Sequence, residues 1–111
     1  SLKFVTLSTD SGSSRYVFDE KGHRLFGWLD ENGNRLTGDD AWKEGVYYCG
    51  DNDDGSVSTG WKYIETPGGE EDGSWFYFDS NGKKTTNSDS KKLNGRKYHF
   101  DKNGAARGAE S

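Results

Sequence analysis

Apolar residues along the 111-residue chain come in short alternating runs, not in the three-and-four spacing of an amphipathic helix. Each run stops at a turn signal, and the stops share a phrase: an apolar residue, Asp, two polar residues and Gly. It reads Phe18-Asp19-Glu20-Lys21-Gly22, Leu29-Asp30-Glu31-Asn32-Gly33, Phe78-Asp79-Ser80-Asn81-Gly82 and Phe100-Asp101-Lys102-Asn103-Gly104. A longer, degenerate copy is Cys49-Gly50-Asp51-Asn52-Asp53-Asp54-Gly55. Successive final glycines are 11, 22, 27 and 22 residues apart. The spacing of 27 exceeds a multiple of eleven by five residues, which fall in the Gly-rich loop Pro67 to Gly73. A fixed period of this kind marks a repeat architecture.

The phrase predicts a tight turn. Glycine supplies the positive φ such turns demand, and the Asp carboxylate can accept a backbone N–H two residues on. The flanks Arg15–Phe18, His23–Trp28, Val46–Cys49, Ser74–Phe78 and Arg96–Phe100 read as strands, the last alternating basic and aromatic residues. A second set of turns is predicted at Glu44-Gly45, between Ala41-Trp42-Lys43 and Val46-Tyr47-Tyr48, and at Asn94-Gly95. No helical periodicity stands out; residues 39–43 make one turn at most. Phe4–Leu7 is expected to form a capping strand and Ser8–Ser14 a flexible loop. Ala105–Ser111 has nothing to bury and is expected to fray. The organisation that follows is an N-terminal cap or linker over 1–14, hairpin repeats over 15–108 and a tail over 109–111. A lone hairpin is unstable, whereas stacked hairpins bury their aromatic rows against one another. The expected fold is therefore all-β, with tandem β-hairpin repeats forming a β-solenoid.

Composition sharpens this picture. Sixteen residues are Phe, Trp or Tyr, against eleven Leu, Ile or Val, so the core must be aromatic. The mean hydropathy of −1.10 alone would suggest disorder, but disordered chains are poor in aromatics. The net charge of −4 makes nucleic acid an unexpected partner. No apolar run is long enough for a transmembrane helix. One cysteine, Cys49, excludes an internal disulfide. Ser1-Leu2-Lys3-Phe4 does not open a signal peptide, and the simplest expectation is a piece of a longer secreted protein.

Candidate chemistry is sparse. Asp51-Asn52-Asp53-Asp54-Gly55 invites a calcium reading, but its Gly is fifth and Lys62 is twelfth, where an EF-hand needs a sixth Gly and a twelfth Glu. A turn is the better reading. His23 and His99 stand in no zinc or nucleophile motif, and His99 alternates with Tyr98 and Phe100 towards solvent. No pair of carboxylates stands on a rigid scaffold as glycosidase chemistry requires. No metal, cofactor or catalytic activity is expected.

Gly27-Trp28 and Thr59-Gly60-Trp61-Lys62 open hairpins; Trp75–Gly82 and Tyr98–Gly104 close them. Over about residues 15–108 this resembles the cell-wall-binding repeats of Gram-positive surface proteins, which include choline-binding, glucan-binding and clostridial-toxin repeats. In choline-binding members a cage forms from the Gly-Trp tryptophan, an aromatic of the second strand and an aromatic of the next repeat. Carried over, the resemblance implies a cage of Trp61, Trp75 and Tyr98 and a second of Trp28, Tyr47 and Trp61. The chain departs from the pattern at Lys91-Lys92-Leu93, where a Gly-Trp would stand, at the inserted loop before Trp75, at the extra turn before Tyr47, and at Cys49-Gly50. Aromatic faces attract quaternary ammonium groups and stack on sugar rings. Phe18, Phe26, Phe78 and Phe100 are expected to pack the core, and Trp42, beside charges, to be partly exposed. The expected function is a non-catalytic binding module of a Gram-positive extracellular protein. It would attach a multi-repeat parent to the cell wall or cell surface through choline or a glycan of a cell-wall polymer. The alternative is a structural spacer or protein-interaction solenoid with no small ligand.

Overall fold

The recurring phrase folds into the same turn four times in the computed structural model, which describes residues 3–9, 12–50, 55–93 and 95–110. One carboxylate oxygen of the turn Asp accepts two backbone N–H groups: Asp19 from Lys21 and His23, and Asp30 from Asn32 and Asn34. Asp79 accepts from Asn81 and Lys83, and Asp101 from Asn103 and Ala105, all at 2.8–3.0 Å. The glycine N–H closes back onto the Asp carbonyl, and the Asp N–H donates to the residue after the glycine. Gly22, Gly33, Gly82 and Gly104 hold φ of 83°, 84°, 86° and 90°. Hydrogen bonding to the ionised form holds two of these carboxyls below the usual carboxylate range. For Asp19 the His23 N–H contributes most, and for Asp30 the Asn34 N–H.

Strands lead into and out of these turns. They are β1 (Lys3–Thr9), β2 (Gly12–Phe18), β3 (Gly27–Leu29), the helical turn α1 (Ala41–Glu44), and β4 (Tyr47–Cys49). Then come β5 (Gly60–Glu65), β6 (Gly73–Phe78), β7 (Ser88–Leu93), β8 (Arg96–Phe100) and β9 (Ala106–Glu110). The architecture is all-β apart from α1. It consists of three antiparallel hairpins, β1–β2, β3–β4 and β5–β6, and the three-stranded sheet β7–β8–β9.

Successive units are joined by backbone bonds in one register. Val57 N–H donates to Arg15 C=O, and Lys84 N–H to Val46 C=O, both at 2.8 Å. Each donor stands two residues after a turn glycine; the acceptor Arg15 lies in β2, and the acceptor Val46 immediately precedes β4. The glycines make this stacking possible. A Cβ on Gly82 would lie 2.5 Å from Val57 Cγ1, and one on Gly104 would lie 2.7 Å from Lys84 Cδ.

The core has two parts. Val17, Leu29, Tyr47, Cys49 and Val57 form one. Trp28, Ala41, Trp42, Ile64, Phe76, Phe78 and Ala105 form the other. Cys49 takes the apolar position at the head of the degenerate turn, and burial pushes its thiol up to about 11, with Arg15 opposing. It packs as a small hydrophobe.

Four local expectations give way to tertiary structure. Ala41-Trp42-Lys43 is helical rather than extended, and Gly45, at φ −64°, ends the helix instead of turning a hairpin. It is glycine because a Cβ there would lie 2.4 Å from Trp28 Cε3. Trp42 is 3% exposed, since its ring packs inward and its Nε1–H donates to Pro67 C=O at 3.1 Å. Much of Ser8–Ser14 is strand, because β1 and β2 pair from Lys3↔Phe18 to Thr9↔Gly12. Ala105 is fully buried and β9 pairs with β8 out to Lys97↔Glu110, so this segment is paired backbone. The calcium-like run falls on residues 51–54, outside the described residues.

Two predictions follow from the turns. Gly82→Ala combines a positive φ with a collision and should lose about 2–4 kcal/mol. Gly68→Ala, at φ 75° with open space around its Cβ, should lose only the backbone part, about 1–2 kcal/mol. Urea unfolding of both variants, followed by Trp fluorescence, separates the two costs. Asp19 and Asp30 have folded-state pKa values below their unfolded ones. Their stabilisation is present above pH ~4 and drains away as pH falls through the folded values. The melting temperature should therefore fall on acidification below pH 4, and less steeply in the Asp19→Asn/Asp30→Asn variant.

Candidate ligand-binding site

Hairpin β5–β6 puts a row of rings on its outer face. Alternation turns Ile64, Phe76 and Phe78 into the core and leaves Trp61, Tyr63, Trp75 and Tyr77 on the other side. The register sets Trp61 opposite Tyr77 and Tyr63 opposite Trp75. Cross-strand ring centroids lie 5.3 Å apart for Trp61–Tyr77 and 5.5 Å for Tyr63–Trp75, both edge-to-face. The diagonal pair Trp61–Trp75 lies at 6.4 Å, also edge-to-face.

The next unit closes over one end of this row. Tyr98 meets Trp61 edge-on at 4.9 Å, and Phe100 stacks on it at 5.7 Å with 23° between planes. Trp61 and Tyr98 are half-buried, while Trp75 is 52% and Tyr63 58% exposed. The Arg96 guanidinium lies 5.8 Å from the Tyr98 centroid, so one ring of the group already attracts a cation. The structure thus gathers Trp75 and Tyr98 around Trp61, three of the residues singled out in the sequence.

Trp28, Tyr47 and Trp61 are not gathered. Trp28 is 7% exposed and packs on Tyr48 at 4.9 Å, Phe76 at 5.3 Å and Phe78 at 5.9 Å. Tyr47 is 8% exposed, belongs to the other core cluster and meets Phe4 at 5.0 Å. No ring contact joins the three among the described residues. The reason is parity: in β4 it is Tyr48 that faces Trp28, by direct pairing, while Tyr47 points to the opposite side. Beside Trp28 a groove of 620 Å³ opens between Tyr48, Tyr63, Arg35, Leu36 and Glu65.

Sequence reading missed Tyr63 and Tyr77, which the alternation of β5 and β6 could have supplied. It also missed Lys84. This side chain reaches back to the preceding unit, where its Nζ donates to Trp42 C=O at 2.9 Å and lies 5.0 Å from the Trp28 centroid and 5.7 Å from that of Phe76. Burial pulls its ammonium down to about 8, with the Asp101 carboxylate opposing.

Residues 70–84 and 91–106 match the family described as "putative cell wall binding repeat". These stretches hold β6 with its turn, the second half of β7, and β8 with its turn. No curated protein matches the sequence. Among solved structures, choline binding protein F from Streptococcus pneumoniae is similar at 26% identity over 92% of this chain and 27% of that one, with a TM-score of 0.62. The chain thus spans about a quarter of that structure's length. A second structure of choline binding protein F from Streptococcus pneumoniae, in the presence of a tetrasaccharide-pentapeptide peptidoglycan analogue, is similar at 22% identity over 90% of this chain and 40% of that one. Its TM-score of 0.33 is too low for geometry to be carried across.

The burial contrast makes a stability prediction. Trp28→Ala removes a buried ring and should cost about 3–5 kcal/mol, whereas Trp75→Ala, at a half-exposed site, should cost under about 1 kcal/mol. Chemical denaturation of the two variants measures the difference.

Proposed function

We propose that this chain is a non-catalytic binding module of an extracellular, Gram-positive surface protein. In this reading it tethers a longer, multi-repeat parent to the cell wall by aromatic recognition of choline or a glycan, and the hairpins continue as a β-solenoid. The ligand site is the group of Trp61, Trp75 and Tyr98. The observation that carries the reading is the exposure of Trp75 beside half-buried Trp61, with Tyr98 arriving from the next unit. A core needs its rings covered, and here a large aromatic surface stays open between two units. The negative ring faces suit a trimethylammonium group, each good contact contributing ~0.5–2 kcal/mol, and the flat faces of Trp75 and Tyr63 suit the apolar face of a sugar. Affinity at one such site is modest, and repetition in the parent raises it through avidity.

For the unit holding Trp28, a different observation favours the structural reading. Trp28 and Tyr47 are buried in separate clusters, so this unit acts as a spacer that carries the open site beside it.

The test is a titration with choline and then with a glucan oligomer, followed by Trp fluorescence. Saturable quenching by one of them is expected, and Trp75→Ala should weaken binding about tenfold, equivalent to ~1.4 kcal/mol. Silence with both ligands overturns the reading.

A further inference from the structure

After the turn glycines Gly55 and Gly82, the position two residues on bonds to a neighbouring unit. In one unit it holds Val57, which is buried against the first core cluster. Its N–H bond to Arg15 and the Gly82 backbone lying over it fix this placement. The equivalent position in the next unit holds Lys84, fixed in the same way by its N–H bond to Val46 and by Gly104 lying over its stem. The fold therefore sends an ammonium group into a place where the neighbouring unit buries a branched aliphatic.

What receives the ammonium is a set of ring faces and carbonyl oxygens. Nζ lies 5.0 Å from the Trp28 centroid and 5.7 Å from that of Phe76. These two rings stand edge-to-face at 5.3 Å, so the cation is in reach of both at once. Two of its N–H groups are taken up by the end of α1, with Trp42 C=O at 2.9 Å and Lys43 C=O at 3.4 Å. These carbonyls are among those that a helix leaves without an internal partner, and a lysine is a suitable cap for them. Rings from two successive units around one cation form the same kind of arrangement as a cage for an alkylammonium ligand, with the cation supplied by the chain itself.

We propose that Lys84 is an internal ligand: its ammonium fills the inter-unit ring site of Trp28 and Phe76, making this a latent alkylammonium site that is closed from within. The idea rests on the reading that ring groups between these hairpins take alkylammonium ligands, but it assigns a different site and can fail separately. It accounts for the burial of the Gly-Trp tryptophan in this unit while its counterpart Trp61 stays half-open. It also makes residue 84 the determinant of whether this unit binds an external ligand.

The test has two arms. In the unaltered protein, the Lys84 ε-methylene protons are followed by NMR, with Lys84→Arg giving the assignment. Ring currents of Trp28 and Phe76 should move them well upfield, and random-coil positions would overturn the proposal. In a Trp75→Ala background, which weakens the Trp61 group, Lys84→Ala should gain saturable tetramethylammonium binding in the millimolar range, read as a rise in melting temperature above a sodium chloride control. The Trp75→Ala parent, and the parent carrying Lys84→Met, whose side chain refills the space, should show no such rise. A folded Lys84→Ala/Trp75→Ala protein without the gain overturns the proposal, as does an equal gain with Lys84→Met. If Lys84→Ala does not fold, the NMR arm alone decides in either direction. Choline binding weakened by Trp75→Ala and a tetramethylammonium gain with Lys84→Ala are independent results, so either reading can fail while the other stands.

Discussion

The stacking of this chain depends on how closely one turn can approach the unit before it. Each turn glycine holds a left-handed φ that any side chain would strain, and Gly82 and Gly104 also lie flat on the side chain of the residue that follows the preceding turn. Removing a Cβ at one atom per unit therefore serves two needs: the chain reverses there, and the next unit comes within hydrogen-bonding distance. The inter-unit bonds from Val57 to Arg15 and from Lys84 to Val46 exist because of that approach. Without it the hairpins would be isolated two-stranded ribbons, which are marginal in water.

Given that stacking, the aromatics divide by face and by unit. Phe76 and Phe78 point inward from β6 and complete a core that also holds Trp28 and Trp42. Trp75 and Tyr77 alternate with them and point outward. A chain so poor in Leu and Ile has to use rings for cohesion, because each ring buries a large area and finds edge-to-face partners. The rings left over on the outer face of β5–β6 are the ones available to a ligand. Binding and cohesion use the same side-chain chemistry, and strand parity decides which ring does which.

What was legible in the sequence was what local chemistry determines. The Asx-Gly phrase specified four turns, because an Asp carboxylate bonding two nearby N–H groups requires no distant partner. The aromatic strands of β4, β6 and β8 were legible from β propensity and from their position beside those turns. The group of Trp61, Trp75 and Tyr98 came from the resemblance to cell-wall-binding repeats, whose pattern says which rings of successive units meet. Trp42 was misread, since its neighbours are charged in sequence whereas its ring is covered by Phe76 and its Nε1–H is held by Pro67, 25 residues away. Ser8–Ser14 looked like a loop because Ser and Gly are turn residues, yet pairing with β1 draws most of it into a strand. The Lys84 arrangement had no local sign at all: a lysine after a turn reads as solvated until the register shows it beside Trp28 and Phe76.

The Lys84 bond to the end of α1 also has a consequence for the order of assembly. The helical turn at 41–44 lacks the cation that caps its carbonyls until residue 84 is in place, and Trp28 lacks Phe76 and Phe78 until β6 has formed. The unit of Trp28 and α1 is therefore complete only once the segment that follows it in the chain has folded against it.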